Sequence, residues 1–112
     1  MALHLEIERR DGGIVVVHVS GRLDAASSGD FEAGIFPVAQ DAGVDRLVLA
    51  CDGLEYIASA GLRVLVAVVK ALNVRKARLF AVGLHPEPLA VLKMTGFLSY
   101  LTVKSDIEEC LA

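Results

Sequence analysis

Tryptophan is absent from this 112-residue chain, and cysteine and proline occur only two and three times. No CxxC pair or other metal-ligand spacing involves Cys51 or Cys110. The chain therefore carries neither the pattern of a zinc site nor that of a disulfide framework. Cys51 closes an apolar run and reads as a buried free thiol. Basic clusters are also missing. The densest basic stretch, Lys70 to Arg78, is interrupted by Leu72 and Val74, and the net charge is −3. That balance argues against direct nucleic-acid binding, which normally needs a basic face. The longest apolar stretch, Ile57 to Leu72, is broken by Arg63 and Lys70. It falls short of the roughly 20 residues that cross a bilayer, so no membrane span is expected. The first residues alternate His4, Glu6 and Glu8 with Leu3, Leu5 and Ile7, which is a strand and not a signal peptide. The expected location is the cytoplasm. No glycine loop cradles a phosphate, since Gly53 lacks the lysine and spacing of a P-loop.

What is present is enough apolar material, 54% of the chain, for the core of one domain over residues 1–112. Asp11-Gly12-Gly13 is a tight-turn signal, and Ile14 to Val19 returns as a more central strand, so the chain opens with a β-hairpin. Gly21-Arg22-Leu23-Asp24 breaks that pattern. Residues 25–42 favour a helix, with Ser27 or Ser28 as caps and Pro37 as an interior fault. Arg46 to Cys51 reads as a buried strand and Ser59 to Asn73 as the best helix. Its apolar positions Leu62, Leu65, Val66, Val69 and Leu72 follow three-four spacing. Arg63 and Lys70, seven apart, share its one thin polar stripe, with Ala67 between them. Most of this helix is then buried or meets a partner, and self-association is left open. Arg78 to Val82 is another strand. Pro86 opens a helix that Gly96 closes. Leu101 to Val103 is a last strand and Ser105 to Leu111 a last helix, with Ser105 and Glu108 at capping-box spacing. Strands alternating with helices after a hairpin imply an α/β fold with a largely parallel sheet.

The run Leu54-Glu55-Tyr56-Ile57-Ala58-Ser59-Ala60-Gly61-Leu62 carries the most chemistry. Its serine has three readings: a helix cap, a nucleophile, or a phosphate acceptor. A hydrolase elbow needs G-x-S-x-G, but Ile57 stands at the first glycine. His4, His18 and His85 lie in a strand's polar face, a strand and a pre-proline position, so no triad assembles. The domain is expected to catalyse nothing and to need no cofactor. As a cap, serine is worth about 1 kcal/mol over alanine. Capping leaves Ala60 and Gly61 unexplained, because glycine in a first turn costs roughly 1 kcal/mol. Small residues there suit a close approach to the backbone. As an acceptor, Ser59 would gain about −1.5 to −2 charge where a helix N-terminus favours an anion. Asp24 follows a central strand, and parallel strands share one C-terminal edge, which brings Asp24 toward Ser59. Asp24 reads either as a turn cap or as an acidic group beside the hydroxyl.

Gly21-Arg22-Leu23-Asp24, paired with Asp52 to Leu62 as quoted, resembles the STAS domains, and specifically the bacterial anti-sigma factor antagonists. The match continues through the helix from Arg63 to Leu72 and through Met94-Thr95-Gly96-Phe97. The resemblance implies a single α/β STAS-like domain, with a central mixed sheet of four or five strands packed by about four helices. It implies a partner, a kinase-type anti-sigma factor of GHKL ATPase fold, that phosphorylates a serine on the antagonist and is thereby released. A PP2C-type phosphatase would restore the unmodified form. The acceptor matches Ser59, the following glycine matches Gly61, and the aspartate of G-x-L-D matches Asp24. Two positions depart from the family's D-S-S-G pattern: Ala58 replaces the acidic residue and Ala60 the second hydroxyl. Ala50 also stands where the family has a strand-end aspartate. Ser59 is thus the only hydroxyl in its loop.

The implied contact surface comprises Asp24, Ala58, Ala60, Gly61, Arg63 and Lys70 around Ser59. Phosphate there would put a dianion into the contact and expel the partner. A second reading makes the chain a constitutive STAS interaction or scaffold subunit of a signalling or transport assembly, without phosphorylation.

Overall fold

The structure, a computed structural model, describes residues 3–111. Alternation in the sequence dictates its two-sided sheet. The strands are β1 (His4–Arg10), β2 (Ile14–Leu23), β3 (Arg46–Ile57), β4 (Arg78–Val82) and β5 (Thr102–Lys104), in the spatial order β1-β2-β3-β4-β5. β1 and β2 pair antiparallel across the glycine turn, and the remaining neighbours pair parallel. The helices are α1 (Ser28–Gln40), α2 (Ser59–Val74), α3 (Pro86–Met94) and α4 (Ile107–Leu111). A short 3₁₀ turn, Phe97–Tyr100, follows α3. This is the expected mixed α/β architecture, with five strands and four helices among the described residues.

Side chains on successive strand residues point to opposite faces, so odd and even positions go to different cores. Val15, Val17 and Val19 of β2, Leu47, Leu49 and Cys51 of β3, and Leu79 and Ala81 of β4 face α1, α2 and α3. Val16, Val48, Ala50, Phe80 and Val82 face the other way and meet Cys110 and Ile107 of α4. The two faces explain why β2, β3 and β4 read as nearly continuous apolar runs. Arg75, just past α2, donates to the carbonyl oxygens of Ala39 at 2.5 Å and Val44 at 2.8 Å. It thereby ties the far end of α2 to the end of α1.

Several boundaries differ from those read in the sequence. β2 runs on through Gly21 and Arg22 to Leu23, and β3 through Asp52 and Gly53 to Ile57. Register shifts after His18 and after Gly21 absorb the residues that break the apolar pattern. Gly53 is needed at this shift, because a Cβ there would lie 2.6 Å from the Ser20 Cβ. α1 starts at Ser28 and continues through Pro37 to Gln40. The final strand is displaced by one residue, with Leu101 buried beneath it. The last helix is capped one position later than the S-x-x-E spacing suggests. Asp106 accepts the Glu109 N–H at 3.0 Å, and Glu109 reaches back to the N–H and hydroxyl of Ser105. Asp106 thus caps the first turn, and Glu109 holds Ser105, the residue before the cap, in place of a reciprocal bond to the N–H of the cap itself.

Cys51 and Cys110 are both free and buried. Burial, with the nearby charge of Asp52 adding to it, pushes the Cys51 thiol up to about 12. Only a thiolate reacts readily. Native protein at pH 8 should therefore label at Cys51 far more slowly than protein unfolded in urea. Equal labelling rates in the two states would contradict the buried placement.

Candidate functional site

The site forms where β2 and β3 end side by side. Leu23 pairs with Ile57 in the parallel register, and the Ala58 N–H donates to the Leu23 carbonyl at 2.8 Å. Asp24 and Ser59 thus follow adjacent strand exits, as the shared C-terminal edge requires. The same hydrogen bond keeps Ala58 extended at φ −106°, ψ 174°, which makes Ala58 the N-cap of α2. Ser59 is the first helical residue and not the cap, so the capping reading is corrected. The two first-turn bonds that close here are Gly61 N–H and Leu62 N–H to the Ala58 carbonyl, at 3.0 and 3.1 Å. Ala58 makes no side-chain cap, and the first turn of α2 contains no acidic residue. The positive end of this 16-residue helix is thus uncompensated from within its own first turn. Ser59 is exposed at that end.

Gly61 answers the question of the small first turn. It is buried, and a Cβ on it would lie 2.4 Å from Leu23 Cγ and 2.8 Å from Leu23 Cδ2. The group that approaches the backbone closely is the side chain of Leu23, itself 1% exposed. Leu23 fills the space beneath the first turn of α2 and so fixes the height of Ser59 above the sheet. The cost of glycine in a helix is offset by this packing.

Asp24 holds the second corner. Its Oδ1 accepts from the N–H groups of Ala26 at 3.1 Å and Ser27 at 3.2 Å. The Ser27 hydroxyl in turn accepts the Asp24 N–H at 3.0 Å and donates to the Arg22 carbonyl at 2.7 Å. Asp24 therefore closes the turn into α1, as its capping reading states. Desolvation works to raise its carboxyl. The Ser27 N–H and hydroxyl, the Ala26 N–H and the charge of Arg22 outweigh this and hold it below the usual aspartate value. Its second oxygen lies 3.8 Å from Arg22 Nε, and the Arg22 guanidinium stacks 4.3 Å above the Tyr56 ring. Neither Arg22 nor Tyr56 was among the candidates from sequence. Their signal is the register pairing of two residues that flank the candidate motifs, which only the sheet supplies.

Arg63 and Lys70 are exposed on the outer face of α2, and both lack an acidic partner among the described residues. Val66 lies between them and is 39% exposed, although the three-four pattern assigned it to the buried face. Ala58 and Ala60 are half-buried beside Ser59. Ser59, Arg63, Val66 and Lys70 follow a four-three-four spacing and form one stripe. No group of three or more His, Cys, Asp or Glu suited to a metal occurs among the described residues. No described helix is long and apolar enough to cross a membrane.

Comparison with known proteins gives a consistent result. Residues 5–110 match the family model of the STAS domain. The chain is 33% identical over 111 residues to BtrV of Bordetella bronchiseptica, designated an anti-sigma factor antagonist, covering 98% of this chain and 93% of BtrV. It superimposes on the crystal structure of an anti-sigma factor antagonist from Mycobacterium paratuberculosis with a TM-score of 0.85, at 25% identity, covering 97% of this chain and 91% of that one. The phosphorylated form of SpoIIAA from Bacillus shares the fold, with a TM-score of 0.73 at 17% identity, covering 95% of this chain and 96% of that one.

Three substitutions test the site's construction. Gly61→Ala is expected to destabilise the protein by about 1–3 kcal/mol in urea unfolding, because overpacking against Leu23 outweighs the helix propensity gained. In a Leu23→Ala background the same change should cost clearly less, since neighbours that share space are non-additive. Additive effects would contradict the contact. Asp24 is held below its ordinary value in the folded state, so its contribution is present above pH about 4 and is lost as pH falls through the lowered value. Asp24→Asn should therefore flatten the acid limb of stability against pH, leaving the slope above pH 5 unchanged.

Proposed function

The chain belongs to the STAS domain family, among the bacterial anti-sigma factor antagonists, and on that premise we propose that it is a phosphorylation-switched binder of a kinase-type anti-sigma factor. Unmodified, it engages the partner through Ser59 and its alanine neighbours, the Asp24 corner, and Arg63 and Lys70 on α2. The partner, a GHKL-fold ATPase, transfers the γ-phosphoryl group of ATP to the Ser59 hydroxyl: the serine Oγ–P bond forms as the bond from the γ-phosphorus to the β,γ-bridging oxygen breaks, ADP leaves, and the hydroxyl proton passes to the partner's base or to water. A PP2C-type phosphatase hydrolyses that ester and restores binding.

The observation that carries this reading is the placement of Ser59. It is exposed, at the first position of a long helix whose N-terminus no side chain caps. A phosphate there meets free N–H groups and the favourable end of the helix dipole, so the domain stays folded when modified. The switch then acts on the interface and not on the fold. An added charge of about −1.5 to −2, lodged where a partner sits, opposes binding through repulsion and desolvation. A relative of this fold, SpoIIAA, is known in a phosphorylated form, which fits a fold that tolerates the modification. Gly61 supports the site from below and makes no direct contact in this reading. Ala58 removes the acidic neighbour, so the cognate kinase must recognise the serine without a local negative charge. Ala60 leaves Ser59 as the single acceptor.

The test is incubation with the kinase-type anti-sigma factors of the same organism and ATP, followed by phosphosite mapping. Phosphate should appear on Ser59 alone. Ser59→Ala should abolish labelling yet retain binding, and Ser59→Asp should weaken binding at least tenfold. Labelling at another residue, or unchanged binding by Ser59→Asp, would sink the switch. A stable complex with no labelling would instead favour the constitutive scaffold reading.

A further inference from the structure

We propose that the α4 face of the sheet pairs with the same face of a second copy of this chain, in a two-fold dimer held by charge and separate from the Ser59 contact. The face has two poles. At one, Arg46 and Arg78 are neighbours in the parallel register of β3 and β4. Each starts its strand, and neither has an ion-pair partner among the described residues. Arg78 is exposed, its guanidinium 4.8 Å above the ring of Phe80, which packs beneath α4. At the other pole, the exposed residues Asp52, Asp106 and Glu108 line a hollow of about 290 Å³ with Val82, Ser105 and Ile107. No basic residue lines it. α4 spans the face between the poles. It begins at the hollow, and near its end the Cys110 carbonyl accepts from Arg46 Nη1 at 2.9 Å.

α4 answers part of this charge. Arg46 meets a carbonyl at its end, and Asp106 accepts the Glu109 N–H at its start. Arg78, Asp52 and Glu108 are left without an ion-pair partner among the described residues. Like charges side by side across strands are unfavourable, and Arg46 beside Arg78 is such a pair. The poles do not relieve each other within one chain. Arg46 and Asp52 are separated along β3 by roughly 20 Å, at about 3.3 Å per residue. The screening length at physiological salt is only about 8 Å. A second copy relieves both poles at once, because a two-fold contact sets one patch against itself. With the axis through the middle of α4, the arginines of one copy lie over the acidic hollow of the other, and the same contact repeats at the far end. A purely acidic or purely basic segment of another protein would answer one pole only. α2, which carries Ser59, Arg63 and Lys70, packs on the opposite face of the sheet, so the dimer leaves the Ser59 contact free.

Sedimentation equilibrium of the full chain by itself tests the dimer, with no kinase in the experiment. Wild type should dimerise at about 0.1 M ionic strength, where screening extends about 10 Å. The dimer should weaken at least tenfold at about 1 M, where it extends about 3 Å. Arg78→Glu and Glu108→Lys should each be monomeric where wild type is dimeric, since each variant sets like charges together at both ends. Mixed in equal amounts, the two variants should dimerise with each other, because the mixed pair has one native contact and one with its signs reversed. Melting curves check that both fold. Arg78→Lys keeps the charge and carries the test if Arg78→Glu does not fold. In its dimer, a carbodiimide should join the new amine to Asp52, Asp106 or Glu108 of a second, isotope-labelled copy. A wild type that stays monomeric at millimolar protein, or a dimer indifferent to salt and to both variants, would overturn the proposal. So would variants that stay monomeric when mixed, or crosslinks confined to one chain. None of these outcomes depends on phosphorylation of Ser59, and loss of the switch leaves the dimer standing.

Discussion

One contact sets the geometry of everything at the Ser59 corner: the Leu23 side chain seated against Gly61. Any Cβ at position 61 would collide with it. Leu23 is the last residue of β2, and Gly61 stands in the first turn of α2. Their contact therefore locks a strand exit to a helix start. The hydrogen bond from Ala58 to the Leu23 carbonyl repeats the constraint in the backbone. Together they decide which residue is the cap, leave Ser59 in the first turn and exposed, and hold Asp24 at the neighbouring exit. A leucine buried at the end of a strand thus controls where a hydroxyl meets solvent.

Electrostatics then gives that position a use. The chain is acidic overall, yet the outer stripe of α2 carries only Arg63 and Lys70 as charged groups, and its N-terminus has no internal compensation. An anion arriving there is favoured by the helix and opposed by nothing nearby in the first turn. The carboxylate at the neighbouring strand exit, Asp24, is committed to the turn into α1 and lies 3.8 Å from Arg22 Nε. Its role is to hold a corner, and its charge is largely answered.

Much of this was legible in the sequence. The alternation of strands, the order of elements, and the two motifs that flank the site follow from periodicity and turn chemistry. The lengths of β2 and β3 did not, because Gly21 and the pair Asp52-Gly53 look like breaks, and only cross-strand register reveals them as bulges within continuous strands. The cap of α2 was placed one residue late because serine is the better capping residue, while the backbone pairing of Ala58 with Leu23 outweighs that preference. The partner of Gly61 was invisible for a different reason. Small residues announce a close approach but not what approaches, and here it lies 38 residues earlier in the chain. Val66 was assigned to the buried face and is exposed, because helical periodicity assigns a face without saying whether a neighbouring element covers it.

The central claim is that charge on Ser59, and nothing else about the modified chain, decides partner binding. It is tested most directly by installing phosphoserine at position 59 during translation and measuring the affinity of the anti-sigma factor for this form and for the unmodified chain. The expected result is a loss of affinity of at least a hundredfold with unchanged circular dichroism and melting cooperativity. Equal affinities, or a loss accompanied by unfolding of the domain, would contradict the account.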